Sequence, residues 1–316
     1  MFQLFKTRNF SDYISDTFSF FKVTGRHYFS NYFIINGGFL LLLSVLFYLA
    51  FKVYFELIFS AIAPANQDFG IIESYFTDNL GLIIGLIIIS VILIIFVSII
   101  NFTYPIIYLN LYHKNKGDSF TTATIIQELK NNFGKILLYI FKLFLISIPL
   151  ILLLGLVMFV LTIIIIGIPL ILIIVPAYLA WMNISLYVYL NSDSGFLNAL
   201  GKGFTIIKNK FWPIVGASLV MLVIIQVILT VLTMIPYVFG VASIFTSAQN
   251  SGFDDNNPFS FMSIILSIVF VASVILNYVL NNIQLINSGI IYYSSCEEEE
   301  NNQPKNAIEM IGSDHE

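Results

Sequence analysis

Apolar residues fill six long runs of this chain, separated by shorter segments in which polar residues return at helical spacing. The runs cover residues 32–62, 80–112, 136–166, 168–190, 211–245 and 259–293. Each is long enough for a helix to cross a bilayer core, which needs about 20 residues. Gly167-Ile168-Pro169 punctuates the longest apolar stretch and predicts a tight turn between spans three and four. Three intervening segments, near residues 11–31, 119–135 and 193–210, read as amphipathic helices. In the third, Phe196, Leu197, Leu200, Phe204, Ile207 and Phe211 recur on one face, while Asn198, Lys202, Thr205 and Lys208 take the other. Asp193 or Ser194 is placed to cap its start. In the first, Ile14, Phe18, Phe21 and Tyr28 oppose Asp12, Asp16, Lys22 and Arg26; in the second, Ile125, Ile126, Leu129 and Phe133 face inward. The pattern predicts an all-α membrane protein, with a six-span domain over 1–293 and an acidic, disordered tail over 294–316.

Composition narrows the class. The 316 residues are 58% hydrophobic and only 10% charged, and the mean hydropathy is +0.91. A water-soluble domain has too much surface to cover with so little charge. The net charge of −4 is local, because residues 294–316 hold seven acids and one lysine. The single cysteine, Cys296, excludes an internal disulfide framework. No cleavable signal-peptide pattern opens the chain, so insertion is expected to rely on the first span.

Basic residues orient the spans. Lys6, Arg8, Lys22, Arg26, Lys114, Lys116, Lys130, Lys135, Lys202, Lys208 and Lys210 fall on the side of the termini. The opposite loops, 63–79, 167–169 and 246–258, contain no Lys or Arg. The positive-inside rule then places both termini in the cytoplasm. Lys52 is the exception, four residues before Glu56, and Lys142 lies near the basic side within snorkelling reach. The amphipathic helices would lie at the cytoplasmic interface, with Lys22, Arg26, Lys130, Lys202, Lys208, Lys210 and Trp212 as membrane-surface anchors. Their expected partners are membrane lipids, above all anionic headgroups, each basic residue contributing roughly 1 kcal/mol near the surface.

Short matches recur along the chain. Phe204-Thr205-Ile206-Ile207-Lys208 parallels Phe18-Ser19-Phe20-Phe21-Lys22, and Ile207-Lys208-Asn209-Lys210-Phe211 parallels Leu129-Lys130-Asn131-Asn132-Phe133. The even-numbered spans close on Tyr108-Leu109-Asn110, Tyr189-Leu190-Asn191 and Ile291-Tyr292-Tyr293. Their order predicts three parallel repeats, each an interfacial helix followed by two spans. The run from Trp181 through Tyr187 to Gly203-Phe204 and Phe211-Trp212, closed by Ile290-Ile291-Tyr292-Tyr293, resembles the membrane domain fused to some glycerophosphodiester phosphodiesterases. It also resembles bacterial six-span proteins related to that domain. Ala199-Leu200, Lys208 and Phe211-Trp212 match that family's alanine–leucine pair, basic helix and aromatic approach to the next span. The resemblance implies a membrane module alone, since no soluble segment is long enough for a catalytic phosphodiesterase domain.

Candidate chemistry is sparse. His27, His113 and His315 form no metal-type cluster, and no GxSxG, Walker loop or pair of acids within a span is present. No cofactor and no nucleic-acid partner is expected. Polar residues do recur at helical spacing in the even spans. Asn277, Asn281, Gln284 and Ser288 form one stripe, Asn101, Tyr104 and Tyr108 a second, and Asn183 with Tyr187 a third. Such stripes either line a polar cavity or join helices by hydrogen bonds. The sequence therefore predicts a non-enzymatic integral membrane protein that organises membrane or serves as a partner subunit, with a protein partner or homo-oligomer left open. The alternative is a permease or lipid-handling transporter with its cavity between the even spans.

Overall fold

The computed structural model describes residues 2–62, 70–163, 167–250 and 258–300. Among them lie eight helices and no strand: α1 (Phe10–Ile62), α2 (Gly70–Asp78), α3 (Leu80–Lys114), α4 (Thr122–Ile163), α5 (Gly167–Asn191), α6 (Phe196–Asn209), α7 (Phe211–Asn250) and α8 (Pro258–Glu300). Six of them, all but α2 and α6, are long and apolar enough to cross a membrane. The chain is thus an all-α, multi-pass membrane protein by architecture. Part of the expected loop 63–79 is helical as α2, and residues 63–69 lie outside the described set, as does the side chain of Glu56 beside Lys52.

The expected interfacial helices differ among themselves. The segments near 11–31 and 119–135 run without interruption into their spans as α1 and α4. Only the third stands apart, as α6, because the backbone breaks at Lys210 (φ −132°, ψ 52°). Pro213 explains the restart: it has no N–H for a continuous helix to bond, but is tolerated in the first turn of a new one. The start of α6 is Gly195 with no side-chain cap, so neither Asp193 nor Ser194 plays the expected role. Pro105, Pro149 and Pro176 sit inside unbroken helices. At the other end of the chain, the helix expected to finish near 293 continues to Glu300, so the first seven residues of the predicted tail are ordered as helix. Residues 301–316 lie outside the described set.

The chain divides into two compact units. Unit one draws its described residues from Met1–Asn31, Phe102–Leu222 and Ile283–Glu316; unit two comprises Tyr32–Asn101 and Val223–Asn282. Within unit one, the buried seam of α1 is Tyr13, Thr17, Phe20, Thr24 and Tyr28. This corrects the expected face, since Phe18 is exposed and Ile14 and Phe21 only half-buried. The two threonines enter the seam because each hydroxyl donates to a carbonyl one turn back, Thr17 to Tyr13 (2.6 Å) and Thr24 to Phe20 (2.8 Å). Bonded this way, a hydroxyl carries no open donor into the core. In α4, Ile125 is buried as expected but Phe133 is exposed.

The helix α6 packs on α5 through a face of Phe196, Ala199, Leu200, Gly203, Ile206 and Ile207. Leu197 and Phe204, expected on that face, point outward instead. A Cβ at Gly203 would stand 3.1 Å from the Ser185 Cα, so glycine sets how closely the two helices approach. Trp181 on α5 donates its indole N–H to the Leu200 carbonyl at 2.9 Å. After α3 the chain reverses at Lys116 (φ 49°) and Gly117 (φ 139°), with the Gly117 N–H bonded back to the Tyr112 carbonyl at 2.9 Å. That left-handed backbone is where glycine is favoured.

Candidate functional site

Unit one brings together the closing residues of the three even spans. Asn110 on α3 donates its amide to Asn191 Oδ1 on α5 at 2.7 Å, and Tyr293 on α8 donates its hydroxyl to Asn110 Oδ1 at 2.6 Å. These are the third residues of the three matching termini. Just above them in sequence, Gly289 on α8 faces α3 and α5 so closely that a Cβ would lie 2.5 Å from both Leu109 Cδ1 and Tyr187 Oη. The Tyr187 hydroxyl donates to the Leu285 carbonyl at 3.0 Å, and its ring stacks on Tyr292 with centroids 5.8 Å apart. Aromatic side chains therefore fill the junction, and their polar ends find backbone or amide acceptors, as burial requires.

A second set of bonds ties the N-terminal segment into the same unit. Arg8 is buried, and its guanidinium donates to Asp16 Oδ2 (2.8 Å) and to the carbonyls of Leu4 (2.6 Å), Lys6 (3.1 Å) and Gln3 (2.6 Å). The backbone N–H of Arg8 donates to Ser294 Oγ at 3.0 Å, and that of Phe2 to the Tyr112 hydroxyl at 2.8 Å. A guanidinium spreads its donors over a planar fork, so one side chain can organise a whole turn of backbone. Asn287 on α8 donates to the Tyr13 carbonyl and to Thr17 Oγ1, both at 3.0 Å. His27 bridges α1 to α3 and the following loop. Its Nε2 lies 3.0 Å from the Phe120 carbonyl, to which it donates, and its Nδ1 lies 2.8 Å from the Tyr108 hydroxyl. His27 is thus a structural bridge within unit one.

The sequence stripes are divided between the two units. Tyr104, Tyr108, Asn183, Tyr187, Gln284 and Ser288 belong to unit one; Asn101, Asn277 and Asn281 belong to unit two. Tyr104 donates to the Tyr28 carbonyl at 2.6 Å, and Ser288 to the Gln284 carbonyl of its own helix at 3.0 Å. Asn183 is buried, whereas Gln284 is buried with no hydrogen-bond partner for either amide atom among the described residues. In unit two, Asn101 Oδ1 accepts from the Tyr32 hydroxyl at 2.8 Å and from Asn282 Nδ2 at 3.3 Å. The amide that joins the spans there is Asn282, not the half-buried Asn281. The stripe template missed it because its spacing of three and four passes over position 282. Asn110, Asn191, Asn287, Arg8 and Asp16 were also missed as site residues, although the first two stand in the recurring span termini.

Unit two also holds an open groove of about 400 Å³ between α7 and α8. Gln226, Thr230 and Thr233 line it from α7, and Ser273, Asn277 and Tyr278 from α8. In unit one, a cavity of about 520 Å³ opens at the start of α6, where Lys142 lies 5.9 Å from the centre of the Phe196 ring.

The predicted anchors divide into two kinds. Lys22, Arg26, Lys130 and Lys208 are exposed, as is Trp212, which leaves 68% of its surface open. Lys202 and Lys210 instead pair with the acidic end of α8: Lys202 with Glu299 at 3.1 Å, and Lys210 with Glu298 and with the Arg8 carbonyl. Glu297 is buried among them in sequence, with neither oxygen hydrogen-bonded among the described residues. No group of three or more His, Cys, Asp or Glu side chains is arranged to hold a metal ion among the described residues.

Comparison with protein-family models, with curated proteins and with solved structures found no match to this chain. The fold and the junction define its class, a multi-pass α-helical membrane protein.

Proposed function

We propose that this chain is a non-enzymatic protein of the bacterial cytoplasmic membrane that organises membrane or acts as a partner subunit. The observation that carries the reading is the Asn110–Asn191–Tyr293 junction. There the even-span polar residues are engaged in joining helices to one another. The meeting of three equivalent positions also supports the threefold parallel repeat, because copies related by rotation bring equivalent residues to their common axis. Both termini lie in the cytoplasm on this reading, and the exposed Lys22, Arg26, Lys130 and Lys208 meet anionic headgroups there. The likeness to the membrane domain fused to glycerophosphodiester phosphodiesterases fits a module of this kind.

Vesicles of bacterial polar lipid containing the purified chain test the role. The proposal expects no chain-dependent movement of entrapped solute or of lipid between leaflets. Vectorial movement of either would overturn it in favour of a permease or lipid-handling protein. Orientation is read separately: cysteine tags placed at 63–69 and 251–257 should react with an impermeant reagent from outside intact cells, and a tag after residue 316 should not.

A further inference from the structure

The α7–α8 groove of unit two is lined by polar side chains on both helices. Three of its side chains are already engaged within the chain. Thr233 donates to the Leu229 carbonyl at 2.8 Å, Ser273 donates to the Phe270 carbonyl at 2.7 Å, and the Tyr278 hydroxyl lies 3.1 Å from Ser98 Oγ. Two carboxamides remain. Gln226 is exposed, with one long contact of 3.4 Å to Thr230 Oγ1, and Asn277 is exposed on the facing helix. Both lie within helix segments apolar enough to sit in a membrane. Hydrocarbon supplies neither donor nor acceptor, so an amide there is favoured by a partner that supplies both.

The shape of the surface indicates what that partner is. On α7, Val223, Gln226, Val227, Thr230, Val231 and Met234 form one exposed stripe at steps of three and four. That is the spacing by which one helix packs along another, and its β-branched side chains lose little rotamer freedom on packing. None of the groove residues is charged, which gives no counter-charge for an ionic ligand. Each carboxamide is both donor and acceptor, so the surface is complementary to itself. In a two-fold pair, residue i of one copy meets residue j of the other, and j meets i.

We propose that this groove is a self-association surface, in which α7 of a second copy of this chain packs so that Gln226 of each copy pairs with Asn277 of the other. This rests on the partner-subunit reading and names the partner as the chain itself.

The full chain carrying donor or acceptor fluorescent proteins after residue 316 tests it, reconstituted in bacterial polar lipid and diluted with further lipid. Energy transfer should fall reversibly on dilution for the native protein. Gln226→Leu or Asn277→Leu should each weaken the pair by about tenfold, since each removes both symmetric contacts. The exchange Gln226→Asn with Asn277→Gln keeps all four amides and should restore most of the association. Both positions face outward, so the thermal unfolding of the solubilised monomer should not move, which separates lost pairing from misfolding. A native protein that is monomeric at every dilution overturns the proposal. So does undiminished transfer in the double leucine variant, or a lipid or a different membrane protein retained by the native groove and lost with those amides. None of these outcomes bears on the vesicle measurement, which tests the non-enzymatic reading by itself.

Discussion

The junction in unit one and the groove in unit two use the same side chains to opposite ends. At the junction, Asn110 and Asn191 are engaged by neighbouring helices at 2.6–2.7 Å, and elsewhere in unit one Asn287 is engaged at 3.0 Å. In the groove, Gln226 and Asn277 present the same chemical group outward with almost nothing to bond. A carboxamide in a membrane helix therefore has no fixed meaning. What decides it is whether another helix of the same chain brings a donor and an acceptor within reach. The contrast makes the first region a device for holding the fold and leaves the second free for association.

Substitutions can break that contrast, and they rank by how much buried structure depends on each group. Arg8→Leu should have the largest effect, lowering stability by about 2–4 kcal/mol in denaturant unfolding of the solubilised protein, because it leaves three carbonyls without a donor and Asp16 with only the half-exposed Lys6 as its cation. A loss below about 1 kcal/mol would mean that the N-terminal segment does not brace unit one. Gly289→Ala should come next, at about 1–3 kcal/mol, since the added Cβ has to displace Tyr187 and Leu109. Thermal unfolding indistinguishable from native would show the junction to be loosely packed.

Within α8, two neighbouring amides should then separate cleanly. Asn287→Leu strips the Tyr13 and Thr17 contacts and should lower stability by about 1–2 kcal/mol. Gln284→Leu removes an amide that has no partner among the described residues, and should leave stability unchanged or raise it by about 1 kcal/mol. A ligand whose stabilising effect disappears in Gln284→Leu would make that amide a binding group and reverse its place in the ranking. The smallest effect belongs to the groove, where Gln226→Leu with Asn277→Leu should shift the unfolding of the monomer by less than about 0.5 kcal/mol. A larger shift would place the groove among the fold's own supports.

These amides show how far the sequence could be read. Stripe spacing found Gln284 and Asn281, yet the bonded residues are Asn282 and Asn287. A spacing rule identifies one face of one helix, whereas a hydrogen bond depends on what the adjacent helix presents at that height. The same limit appears on α1. Hydrophobicity placed Phe18 inward, but Thr17 and Thr24 occupy the seam because each hydroxyl is bonded to its own helix. At α6 the reading did better. The helix lies where the amphipathic pattern put it, and its inner face keeps Phe196, Leu200 and Ile207. Gly203 and Ala199 replace Phe204 and Leu197 on that face, because α5 approaches too closely for large side chains. The clustered lysines read as lipid anchors, and two of them, Lys202 and Lys210, also pair with the acidic end of α8.

Class, number of spans and most helix limits followed from the sequence by itself, because an apolar run of bilayer length has few alternatives to a helix in hydrocarbon. The recurring Tyr-Leu-Asn termini were also visible there, as a pattern without a purpose. Tertiary structure alone decided that Asn110, Asn191 and Tyr293 meet, that Arg8 is buried beneath the N-terminal segment, and that Gln226 and Asn277 face outward together. The physical reason is one of range. Hydrophobic burial is set residue by residue along the chain and leaves a periodic trace, while a polar contact requires two groups within about 3 Å and depends on helices distant in sequence.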